Sequence, residues 1–212
     1  LALNPSDASA RIGLAKMLAS LGEFPAASRE ADRAQQLDPM CLTANITVGW
    51  VRYLAGDYET AAAICRDVLE MDDEYLSALR VLGAALLEAG RRNEALRTLE
   101  RAVETGGGEP SSVACLAYAR ARTGDAAVAT ALLGRLGDLA RQRYVSPYYL
   151  ALVHAALGDT ATACRALRQA CDDCDPMVAN VSVDPRLAAI RTDAEVVRVF
   201  RPGGARGARP ED

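Results

Sequence analysis

Cys171-Asp172-Asp173-Cys174 is the stretch of this chain whose residue types and spacing most invite metal or redox chemistry. A reactive CxxC pair needs a helix N-terminus or a nearby cation to stabilise its thiolate. This pair reads instead as the end of a helix, with two aspartates between the sulfurs, and both features raise a thiol pKa. Zinc needs four converging ligands. Cys164 stands two helical turns earlier, ~10 Å away along the axis, and His154, the only histidine, falls on the preceding helix. The spacing therefore predicts no metal site and no redox role for the pair. Catalysis has as little to work with: one histidine, no Gly-rich phosphate loop and no nucleophile elbow. The chain reads as a non-enzyme without a cofactor.

The elements that carry these residues are helical. Half of the 212 residues are hydrophobic and only 5% are aromatic, while Ala, Leu and Arg recur throughout. Alanine lets helix axes approach and leucine fills the gaps between them. A net charge of −4 gives no basic field for nucleic acid, and no stretch approaches the ~20 apolar residues that cross a bilayer. Most of the six cysteines fall inside helical apolar patterns, as reduced thiols used as small hydrophobes do, so a cytoplasmic location is expected. Leu1-Ala2-Leu3-Asn4-Pro5 reads as the tail of a helix that starts upstream, in a longer protein.

Shifting the chain against itself by 34 residues aligns Gly22, Gly56, Gly90, Gly124 and Gly158 without insertion or deletion. An alanine follows each at a fixed offset: Ala27, Ala61, Ala95, Ala129 and Ala163. Ahead of each glycine stands a branched aliphatic residue (Leu14, Val48, Leu82, Leu116, Leu150), followed at once by a small one (Ala15, Gly49, Gly83, Ala117, Ala151). Each column has a physical reason. The glycine ends one helix where the chain takes a positive φ before turning back. The two small positions let the paired helices cross closely, and the aliphatic fills the space between them.

This ladder resembles the tetratricopeptide repeat, whose period is 34 residues, and its best copy is Leu82-Gly83-Ala84-Ala85-Leu86-Leu87-Glu88-Ala89-Gly90 with Asn93-Glu94-Ala95-Leu96. The resemblance implies an all-α, right-handed superhelix of antiparallel helix pairs, in which no pair is stable without its neighbours. Five repeats are expected over residues 8–176, starting near 8, 42, 76, 110 and 144, after the end of a preceding repeat at 1–7. Departures occur where the family has a large residue, at Arg11, Asn45 and Pro147, and where it has an aromatic, at Leu18, Arg52, Leu86, Arg120 and His154. Tyr144-Val145-Ser146-Pro147, Leu157-Gly158-Asp159 and Val183-Asp184-Pro185-Arg186 with Ile190-Arg191 are similar to the closing segment of arrays in multidomain bacterial regulators.

Repeats of this family bind through the first helix of each pair, and that resemblance implies a concave groove lined by Lys16, Ile46, Trp50, Tyr53, Arg80, Leu87, Tyr118, Arg122 and Tyr148. The single tryptophan falls in this set with three of the seven tyrosines, and groove aromatics bury much area at small entropic cost. The plainer reading is that Trp50 and Tyr53 pack on the neighbouring helix. Lys16, Arg80 and Arg122 suit a carboxylate partner or stay solvated. The two-carboxylate clamp of some family members is absent, because its positions hold Ile12, Lys16, Thr47, Ser77 and Val81.

After Asp175-Pro176 the period breaks. Met177 to Val183 reads as a short helix or an extended segment, and Pro185–Ile190 and Asp193–Phe200 read as two short amphipathic helices. Their apolar positions (Leu187, Ile190, Val196, Val197, Val199, Phe200) are expected to cover the open edge of the last repeat, making 177–200 a cap. Residues 201–212, rich in Pro, Gly and Arg, are expected to be disordered. The function expected is that of a scaffold holding a peptide or helix of another protein, or of a domain of the same longer chain. The alternative is a ligand-sensing or regulatory module of a larger transcription or signalling protein.

Overall fold

The computed structural model describes residues 7–194 together with 196 and 197; the expectations for residues 1–6, for Val199 and Phe200, and for the tail lie outside them. Ten α-helices follow one another among the described residues: α1 (Ala8–Ser20), α2 (Phe24–Leu37), α3 (Leu42–Leu54), α4 (Tyr58–Met71), α5 (Leu76–Glu88), α6 (Arg92–Thr105), α7 (Pro110–Arg122), α8 (Ala126–Ala140), α9 (Pro147–Ala156) and α10 (Thr160–Asp172). Among the described residues there is no strand, and no helix is long and apolar enough to cross a membrane. Each odd-numbered helix packs on the even one after it and on the next odd one, so α1, α3, α5, α7 and α9 form one continuous inner layer. The result is a right-handed solenoid of antiparallel pairs.

The same bend joins every pair. Gly22, Gly56, Gly90, Gly124 and Gly158 have φ between +79° and +92°. The residue after each donates its N–H back to a carbonyl in the helix just ended, as in Asp57 N to Arg52 O at 2.9 Å and Arg91 N to Leu86 O at 2.8 Å. That bond satisfies a carbonyl the helix end leaves open. Three bends then use an aspartate to start the second helix: Asp57, Asp125 and Asp159 each accept an N–H from the first turn. Nothing lies within 4 Å of a Cβ added at Gly90, so Gly90→Ala tests φ alone and is expected to cost about 1–2 kcal/mol. Gly134 also has open space but lies within α8, so Gly134→Ala is expected to gain up to about 1 kcal/mol. The two thermal midpoints should move in opposite directions.

The core is mostly alanine at helix crossings and leucine or valine between them. Ala15, Ala27, Ala61, Ala95, Ala129 and Ala163 have no exposed surface. At Gly83 the approach is tighter still: a Cβ there would sit 2.5 Å from Leu99 Cγ. The stack loosens between α8 and α9, which scarcely touch, while α9 packs on α7. Helix α9 begins at Pro147, three residues after the repeat start expected near 144, because a proline belongs in a helix's first turn and disfavours helical backbone just before it.

Beyond α10 the chain forms a strap with two 3₁₀ turns, Pro176–Asn180 and Pro185–Leu187. The sequence pattern suggests a helix over Pro185–Ile190, but a six-residue segment is far below the length at which helical hydrogen bonds hold by themselves. Its tertiary contacts set its shape instead. The strap also does more than close the last pair. Residues 176–180 reach α1, and the Ser182 hydroxyl donates to Ser20 O at 3.4 Å. The chain then returns along the inner layer to α9, where Leu187 is fully buried, and Asp193 reaches Cys164 on α10.

Candidate functional site: the concave face and its strap

The inner layer brings the groove residues together around this strap. Asp175 anchors its start: buried, it accepts from the Ser146 hydroxyl, from Tyr144 Oη at 3.1 Å and from Met177 N at 2.8 Å. At the strap's deepest point Asp184 and Arg186 form an ion pair with 0% and 5% side-chain exposure. Arg186 donates from Nη2 to Asp184 Oδ2 at 2.7 Å and from Nε to Oδ1 at 3.0 Å. Tyr148 Oη adds a 2.5 Å hydrogen bond to the same carboxylate, and Arg191 Nη2 holds Asp184 O at 2.7 Å. Across the groove the Arg186 guanidinium lies 5.8 Å from the Trp50 ring centroid and 3.9 Å from Cys115 Sγ. Burial pushes the Asp184 carboxyl up, but Arg186 and the hydrogen bonds outweigh it and hold it below its ordinary value.

Of the residues predicted to line the groove, Tyr53, Tyr148, Tyr118, Leu87 and Ile46 are buried, Trp50 and Arg80 are half-buried, and Lys16 and Arg122 are exposed. The groove expected to stand open is thus covered along part of its length by the chain's own strap. Tyr53 stacks on Trp50 at 5.3 Å between centroids and tilts against Tyr58. Its hydroxyl is buried without a hydrogen-bond partner among the described residues. Burial first, then Asp184, push its pKa well above the ordinary value. Tyr118, Arg122 and Glu88 form a separate cluster at the rim: Tyr118 Oη donates to Glu88 Oε1 at 3.3 Å, and Arg122 Nη1 donates to Tyr118 Oη at 2.5 Å.

The three cations expected to meet a carboxylate differ in what holds them. Arg122 is engaged by Glu88 and Tyr118, and Arg80 by Glu109 at 3.1 Å and by Ser77. Among the described residues Lys16 has no ion-pair partner. Beside the strap a cavity of ≈ 550 Å³ stays open. It is bounded by Lys16, Met17 and Ser20 of α1, by Ile46, Thr47 and Trp50 of α3, and by Ser77, Arg80, Val81 and Ala84 of α5. Cys115, Tyr149, Pro176, Met177, Ala179, Asn180 and Arg186 complete the lining. No carboxylate is among these residues, although the chain as a whole is acidic.

The cysteine pair sits apart from this face. Cys171 is half-buried at the end of α10, and burial followed by Asp172 raises its pKa. Cys174 is exposed with φ +54°. Among the described residues no three His, Cys, Asp or Glu side chains are grouped to hold a metal ion. Sequence reasoning misses where the strap lies. The available signal is a charged Asp184-Pro185-Arg186 inside an otherwise apolar run, a pattern that an edge cap does not need.

Sequence models of the tetratricopeptide repeat match residues 52–117, and residues 8–33 and 148–169. No curated protein matches the chain in sequence. Among solved structures, a thermophilic tetratricopeptide-repeat protein of Thermus thermophilus superimposes with a TM-score of 0.64 at 18% identity, covering 85% of this chain and 99% of that one. MamA of Desulfovibrio magneticus RS-1 gives 0.55 at 20% identity, with 66% and 78% covered. A tetratricopeptide-repeat protein of Parabacteroides merdae gives 0.52 at 12% identity, with 93% and 80% covered. Identities this low speak to fold alone. Hairpins of constant length, glycine bends in one conformation, the repeat-model matches and the shared architecture agree that the chain belongs to the tetratricopeptide-repeat family.

Proposed function

We propose that the chain is a non-catalytic scaffold that takes a peptide or helix of another protein on its concave face, at the end left open beside the strap. The observation that carries this reading is the ≈ 550 Å³ cavity walled by Lys16, Ile46, Trp50 and Arg80. Its volume falls in the range of sites that accept a ligand group of some size. An aromatic and aliphatic floor suits an apolar anchor residue, and Lys16 at the rim suits a neighbouring carboxylate. Tyr53, Leu87 and Tyr148 are buried in the same face, and Tyr118 with Arg122 forms its rim. The repeat family is one of protein-interaction modules, and the partner is another protein or a segment joined to this one. Six free thiols, three of them buried, fit a reducing compartment, and we place the protein in the cytoplasm.

Selection of displayed peptides against the folded chain tests this. Trp50 is the only tryptophan and borders the cavity, so its fluorescence reports occupancy. Ser77→Phe plugs the cavity from α5 and is expected to weaken selected peptides about tenfold or more, the equivalent of losing one buried apolar anchor. Arg97→Ala, an exposed position on α6, should change nothing. Failure to enrich any peptide, or peptides indifferent to Ser77→Phe, would contradict the proposal.

A further inference from the structure

The strap lies in the groove as a bound segment would, and its chemistry is specific. A cap needs only apolar side chains to seal helix ends, yet the strap buries the charged Asp184–Arg186 pair as well as Leu187. Desolvating two charges is costly, and well-packed hydrophobic residues of similar volume often do as well or better for stability. What such a pair supplies is geometric definition. The bed answers it group for group: Tyr148 Oη donates to the Asp184 carboxylate, the Trp50 face lies beside the Arg186 guanidinium, and α9 packs on Leu187. The fully buried Tyr53 hydroxyl, close enough to Asp184 and Arg186 to feel both charges, is left unpaired by the strap. The bed is also continuous with the open cavity, because Trp50, Cys115 and Arg186 border both.

We infer that this bed is itself a recognition surface for a short segment of a partner that folds into the same kind of 3₁₀ turn as the strap. That segment carries an acidic residue, an arginine two positions on and an aliphatic residue directly after it. The strap, with Asp184, Arg186 and Leu187 in that order, holds the bed until such a segment displaces it. The inference rests on the groove reading above and adds the partner's chemistry. The strap is tethered to the last helix pair through Asp175, so it competes at the millimolar effective concentration of a short linker. A free segment therefore binds with its affinity reduced by the fraction of molecules whose bed is empty. Weakening the strap should raise that fraction and tighten binding in trans.

The test uses a labelled peptide with the sequence of residues 181–191, titrated by fluorescence anisotropy into the full chain. Arg186→Gln loosens the strap at its centre. Arg191→Ala removes the bond to Asp184 O while leaving the Asp184–Arg186 pair in place, and serves if the first variant does not fold, which circular dichroism decides. Arg186→Gln is expected to bind the peptide about tenfold or more tightly than the unaltered chain, and Arg191→Ala about threefold or more. A peptide with Asn and Gln in place of the acidic residue and the arginine should not bind either variant. If both variants are folded and bind the peptide no better than the unaltered chain, the bed is a permanent structural seat and the inference is wrong. Cavity-dependent peptides lost by Ser77→Phe would survive that result, so the groove reading fails separately.

Discussion

Arg186→Ala is expected to lower the stability of the array by about 3–5 kcal/mol, the range found when one member of a buried ion pair is removed. The loss does not come from a missing attraction alone. It comes from leaving the Asp184 carboxylate, with no exposed side-chain surface, facing Tyr148 without its counter-charge. Asp184→Ala should be of similar size, because it strands a guanidinium between Trp50 and Cys115. Removing both charges together, as Asp184→Ala with Arg186→Leu, should cost less than either single change. Urea unfolding followed by Trp50 fluorescence measures all three. Acid should act by the same route. The folded Asp184 carboxyl is held below its ordinary value, so its contribution is complete above about pH 4. It is lost as pH falls through the depressed folded value.

Leu99→Ala is the second large effect, expected at about 2–5 kcal/mol as for other fully buried leucines. Leu99 is 1% exposed on α6 and lies over Gly83 of α5, so close that a Cβ there would meet it at 2.5 Å. That contact makes a sharper forecast possible. Gly83→Ala alone overpacks the crossing by about 1–3 kcal/mol, offset by up to about 1 kcal/mol of better helix propensity. In the Leu99→Ala background the added methyl enters space the leucine has vacated. The double variant should then be at least about 1 kcal/mol more stable than the sum of the single effects predicts. Strict additivity in thermal or urea unfolding would mean that the two helices do not cross at this pair.

Much of the fold is legible in the sequence because each repeat restates the same local physics. The glycines at 22, 56, 90, 124 and 158 have no side chain, and at those positions the backbone takes a φ that other residues avoid. Alanine and glycine columns mark crossings, and Gly83 lies closer to its neighbour, Leu99, than Gly49 does to Cys65. The start of α9 is less legible, since Pro147 overrides the period locally. The groove residues follow from the family's pattern of inward-facing positions, which says which side chains face the concave side and nothing of what covers them. Tyr148 and Tyr53 meet a segment with no period of its own, and the Ser182–Ser20 contact joins residues 162 positions apart. Periodicity carries no information at that separation. Arg80 and Arg122 likewise look free in the sequence, but Glu109 and Glu88 engage them from other elements.

The central claim is that residues 176–191 lie inside the concave face and not on its end. Nuclear Overhauser contacts in the unaltered chain test it directly, because its single tryptophan gives an unambiguous indole. With the Arg186 guanidinium carbon 5.8 Å from the Trp50 ring centroid, cross-peaks between the Trp50 ring protons and the Arg186 side chain are expected. Assigned spectra in which Trp50 contacts only its helical neighbours, with Arg186 at solvent-exposed shifts, would contradict the account.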